Sequence, residues 1–117
     1  MADTKRLVAK MDEAIKALKP QRRQGQTACI ELAQLLRDRL GTGQPFQVVF
    51  GGKAFPVRCD DVRISRTTVD LGVPNIDSTI PLTRIVPCEI GRDGEGRPLM
   101  GHGIVEDDGG VTSVVLA

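Results

Sequence analysis

The chain has 117 residues, of which 40% are hydrophobic and 26% charged, with a formal net charge of +1. That length fits one ordinary domain, which buries roughly two thirds of its unfolded surface and needs no disulfide or metal to hold it. So small a net charge excludes a strongly basic nucleic-acid domain, and no stretch nears the roughly 20 apolar residues of a membrane-spanning helix.

The near-neutral sum hides an asymmetry. Residues 1–42 carry nine Lys/Arg against five Asp/Glu, and residues 43–117 carry seven against ten. Trp and Tyr are absent, and the three aromatics, Phe46, Phe50 and Phe55, fall within ten residues of one another. The core is therefore mostly aliphatic, and the aromatic anchors common in binding hot spots are scarce.

Residues 4–19 place Leu7, Met11, Ile15 and Leu18 on one helical stripe, with Asp3 or Thr4 as cap and Pro20 as stop. Residues 20–26 form a polar connector. A second helix is predicted over about 27–40, with Ile30, Ala33, Leu36 and Leu40 on one face, widened by Cys29, Leu32 and Leu35. Gly41 is placed to cap its end. A short connector between two amphipathic helices predicts a helical hairpin.

From Phe46 the pattern turns to strands. Phe46–Phe50 and Lys53–Arg58 flank Gly51-Gly52, a hairpin signal, and Pro56 assigns the second run to an edge or a bulge. Val62–Ile64 and Thr68–Leu71 form a second short pair, and 74–79 a loop. Residues 80–90 hold two apolar stretches interrupted by Pro81 and Pro87. Residues 91–98 form an exposed turn. Leu99–Val105 and Val111–Ala117 flank a third turn at 106–110. The last strand is uncharged and β-prone, so it must be paired, within the domain or with another subunit.

The chain is thus expected to be α+β. An N-terminal two-helix hairpin (residues 1–42) precedes a small antiparallel β-barrel or curled sheet of about six to eight short strands (residues 43–117), integrated into one domain. In outline, residues 45–90 resemble the RNA-binding Sm-like barrels, and Cys59–Leu71 resembles the cyclic-dinucleotide-binding PilZ domains around Arg63 and Ser65. The late glycine motif of the first is missing, and Thr68 replaces a glycine of the second. No site is carried over from either.

Cys29, Cys59 and Cys88 are odd in number and widely spaced, without a Cys-x-x-Cys pair. This predicts reduced thiols rather than disulfides or a zinc site, because short turns usually present zinc ligands in pairs. The opening Met1-Ala2-Asp3 lacks the apolar core of a signal peptide, so a cytoplasmic location is expected. A thiol enzyme would need Cys59 or Cys88 beside His102, the one histidine, and nothing local pairs them. The glycines of 91–96 and 101–103 precede strand-like sequence rather than a helix, which argues against a phosphate loop. Lys16, Lys19, Arg22 and Arg23 form the one basic cluster. Lys16 and Lys19 also suit a helix C-terminus, while Arg22 and Arg23 are free to meet phosphate or an acidic partner.

The expected function is a non-catalytic binding or assembly module acting through protein surfaces, as a homo-oligomer or with a protein partner. The alternatives are a nucleic-acid or nucleotide-binding protein using Lys16, Lys19, Arg22 and Arg23, and a small thiol enzyme using Cys88 or His102. No cofactor, metal or membrane contact is expected.

Overall fold

The computed structural model describes residues 3–19 and 27–117. Helix α1 spans Thr4–Leu18, and the Asp3 carboxylate caps it by accepting from the Arg6 amide at 3.1 Å. Helix α2 spans Thr27–Gly41. The two pack together through the predicted stripe of Leu7, Met11, Ile15 and Leu18, all buried, and the Arg37–Asp12 ion pair links them. The connector that would make them a hairpin lies outside the described residues. On α2, Cys29 and Leu32 are buried as expected, whereas Leu35 is 46% exposed. Gly41 is the last helical residue, not the left-handed cap. That conformation falls to Gly43 (φ 69°), whose amide donates to the Leu40 carbonyl.

The strand-rich half forms two sheets rather than a closed barrel. Strands β1 (Phe46–Phe50), β2 (Lys53–Val57), β6 (Ile85–Arg92), β7 (Pro98–Val105) and β8 (Val111–Leu116) make a five-stranded antiparallel sheet in the order β2-β1-β8-β7-β6. Strands β3 (Arg63–Ser65), β4 (Thr68–Asp70) and β5 (Thr79–Pro81) make a three-stranded sheet in chain order. Closure would need β2 to meet β6. Both carry a proline, Pro56 and Pro87, that cannot donate to another ladder, and both are edges.

Local chemistry explains the turns. Gly51 and Gly52 both have positive φ (55° and 91°), as a two-residue hairpin turn of the right twist requires. In the β6–β7 turn, the Asp93 carboxylate accepts from the amides of Glu95 and Arg97, each at 2.9 Å. Gly72 has φ +69°, and a Cβ there would lie 2.3 Å from the Asp61 carbonyl. Only glycine lets β4 leave that close past the Asp61 turn.

The C-terminal strand finds its partners inside the chain. β8 is central, pairing with β1 through Val114–Leu116 and with β7 through Val111–Val114. A single core cluster takes side chains from both helices and both sheets, including Met11, Leu36, Val48, Val69, Ile80, Leu82 and Val114. Helix α1 thus packs on its own chain. No helix among the described residues is long and apolar enough to cross a membrane.

Candidate interaction surface

The five-stranded sheet has two faces, and the register assigns each residue to one of them. Val48, Val114, Ile104 and Ile85 point inward and are buried in the core. Their neighbours along each strand must point outward. On β1 and β8 these are Val49, paired with Val115, and Ser113 and Val111. On β7 they are Val105, Gly103, Gly101 and Leu99, and on β6 they are Val86 and Cys88.

Two glycines confirm the arrangement. A Cβ on Gly103 would meet Val111 Cγ1 at 2.4 Å and Cys88 Cβ at 3.0 Å, and one on Gly101 would meet Ile90 Cγ2 at 2.8 Å. Cys88, Ile90 and Val111 therefore share the outer face with Gly101 and Gly103.

This outer face carries no charged side chain. Gln47 and Ser113 are its polar members, and on the edge strand β2 it continues as Ala54 and Pro56. An antiparallel sheet with one solvated face normally alternates apolar and polar residues. Here the alternation largely fails on β1, β8 and the inner parts of β6 and β7, where both faces are mostly apolar. None of Val49, Val86, Val105 or Val115 belongs to the core cluster or packs against it, and each is half-buried.

Beyond the His102–Val114 pair, β7 and β8 no longer pair, and the β6–β7 ladder continues as a two-stranded arm with a bulge between Glu89 and Gly91. The arm adds Ile90 (41% exposed) and Leu99 (46%) to the outer face, while Met100 (60%) is exposed on the opposite side, the side of His102.

Two concavities lie elsewhere. A groove of about 500 Å³ between the sheets is lined by Phe50, Phe55 and Ile104 of the larger sheet and by Ile76 and Pro81. Phe50 and Phe55 meet at 6.4 Å between ring centres, and the Arg84–Asp107 ion pair (2.7 Å) sits on its rim. A smaller cleft of about 330 Å³ lies between the start of α1 and β3, lined by Arg6, Lys10 and Arg63 beside Asp3 and Asp60. Its charges are mixed in sign and partly committed. The Arg63 guanidinium donates to the carbonyls of Asp60 and Val62, at 3.0 and 3.1 Å.

The residues singled out from the sequence are scattered. Lys16 and Lys19 are exposed at the end of α1, and Arg22 and Arg23 lie outside the described residues. Cys88 and His102 are not brought together. Cys88 pairs with Gly101 and faces outward, so His102, one residue on, faces the opposite side, where its Nε2 lies 3.1 Å from Glu31 of α2. Cys59 is buried in a turn with its thiol directed at the Gln44 carbonyl. Cys29 is buried and donates to the Ile85 carbonyl at 3.3 Å. Burial pushes both thiols up, away from the reactive thiolate. Among the described residues no three His, Cys, Asp or Glu side chains gather as a metal site would need.

The outer-face residues were not singled out from the sequence as a set, yet a signal was there. Phe46-Gln47-Val48-Val49-Phe50 and Val114-Val115-Leu116 are near-continuous apolar runs, which mark strands buried on both sides. Comparison with models of protein families, with curated proteins and with solved structures finds no match.

Proposed function

We propose that the chain is a non-catalytic binding and assembly module that works through the outer face of its five-stranded sheet. The supporting observation is that this face is mostly aliphatic and uncharged although, among the described residues, its valines are not packed into the core. Five strands about 4.8 Å apart, of five to six residues in β1 and β8, span about 24 by 18 Å, or about 400 Å² in projection. Contiguous apolar patches of several hundred Å² mark interaction sites on folded proteins.

The chemistry around the face fits such a role. Of the three free cysteines, Cys29 and Cys59 are buried, which suits a reducing compartment such as the cytoplasm. The nucleic-acid alternative would rest on Lys16 and Lys19 with Arg22 and Arg23. It gains nothing from the outer face, which offers no cation for phosphate.

Hydrophobic-interaction chromatography of the folded, dilute protein tests the reading. Val105→Asp and Val115→Asp, each kept folded as judged by far-ultraviolet circular dichroism, should elute well before the wild type. They should also elute before Leu35→Asp, which removes a single exposed apolar side chain from α2. Retention equal to the wild type would show that the face is not presented and would overturn the proposal.

A further inference from the structure

We infer that the occupant of the outer face is a second copy of this chain, packed sheet on sheet about a twofold axis. The inference rests on the reading of that face as a protein interface, and the composition of the face selects the partner.

An uncharged aliphatic surface does not suit a charged partner, whose ions would lose water without gaining a counter-charge. It also lacks the Trp, Tyr and Arg that anchor interfaces between unlike, separately folded proteins. What it fits is another uncharged aliphatic face of the same width, and the chain supplies one in every copy. Interfaces more apolar than the general protein surface are typical of homodimers.

Electrostatics does not oppose the pairing. With a formal net charge of +1 per chain, two copies repel one another little. The geometry is permissive as well. Twisted sheets pack face to face about 10 Å apart, with side chains of the two faces interdigitating. A twofold axis makes the contact self-complementary, so one patch serves both partners.

The area suffices. Two faces of about 400 Å² in projection, extended by Ile90 and Leu99 on the arm, reach the roughly 1,000 Å² that a specific interface needs. The half-buried Val86, Val105 and Val115 would then complete a second core layer between the sheets. This also accounts for the paired C-terminal strand. Both of its sides are paired within the chain, so no strand can add to it, and the sheet's open edges, β2 and β6, each carry a proline.

Sedimentation equilibrium of the native chain tests the inference. A mass of twice 12.6 kDa is expected, falling to the single-chain mass in Val115→Asp and in Ile90→Asp and unchanged in Leu35→Asp. Ile90 is already 41% exposed, so its variant folds even if a change nearer the middle of the sheet does not. A dimer that survives both outer-face substitutions would place the contact elsewhere and overturn the inference, as would a wild type that is monomeric throughout. In the monomeric case an apolar fluorescent dye separates the two claims. Dye binding by the wild type that is lost in Val115→Asp would leave the face an interface for another partner. Equal, weak binding by both would remove the interface reading too.

Discussion

Val114 and Val115 are consecutive residues of one strand with the same side chain. Val114 is 1% exposed inside the core, while Val115 is half-buried with no core side chain against it. The same contrast runs across the sheet, between Val48 and Val49 on β1, Ile85 and Val86 on β6, and Ile104 and Val105 on β7. Burial of the inner series stabilises the fold, at about 25 cal/mol per Å² of apolar surface removed from water. The outer series contributes far less to the isolated chain, so fold stability alone gives no reason for its aliphatic character. A sheet apolar on both sides calls for a further layer on its open face, which the proposed assembly would supply.

The strongest way to break the contrast is to place one charge on either side of β8. Val114→Asp buries an unpaired carboxylate at a cost of several kcal/mol, a large share of the stability of a small domain. It should abolish the cooperative thermal transition in circular dichroism. Val115→Asp should keep that transition and lose association instead. Equal stability of the two variants would erase the distinction between the faces.

Glycine replacements sharpen it next. Gly72→Ala forces a left-handed conformation on alanine and drives its Cβ into the Asp61 carbonyl, so a loss of at least about 2 kcal/mol is expected in urea unfolding. Gly103→Ala drives its Cβ into Val111 and to 3.0 Å from Cys88 Cβ, but Val111 is 49% exposed, so outward displacement relieves part of the overlap. It should lose about 1–2 kcal/mol while roughening the outer face and weakening association.

The smallest effect concerns the buried thiols. Cys29 and Cys59 hold their protons to higher pH in the folded state than in the unfolded one, because burial disfavours the thiolate. Their contribution to stability is therefore complete below the unfolded thiol range, near about 8.5. It is lost as pH rises through the folded pKa values. Denaturant midpoints should fall above that range, and replacing both residues with Ala should flatten the decline.

The helices and hairpins were legible in the sequence because local chemistry dictates them. Leu7, Met11, Ile15 and Leu18 lie on one stripe, Asp3 supplies the cap, and Gly51-Gly52 supplies the only turn that two positive φ angles allow. The division into two sheets was not legible, because strand order depends on long-range pairing. Nothing near Ala117 announces that β8 will insert between β1 and β7. Pro87 interrupts the apolar pattern, yet β6 runs straight through it, since an edge strand spares one amide. The outer face was only half legible. Uncharged runs such as Val114-Val115-Leu116 signal burial on both sides, but which residues share a face follows only from the register. The basic cluster at Lys16 and Lys19 was the most visible candidate in the sequence because charge is easy to see, whereas a surface defined by missing charge is not.

Cys88 offers the most direct measurement, since it is half-buried on the outer face while the other two thiols are buried. Its alkylation rate in the native chain should be followed from about 1 μM to about 1 mM, the span over which weak to moderate association develops. If the outer face is where the chain assembles, labelling of Cys88 slows as concentration rises in the wild type and is independent of concentration in Val115→Asp. A wild-type rate that is constant across the whole range and equal to that of Val115→Asp would contradict the account.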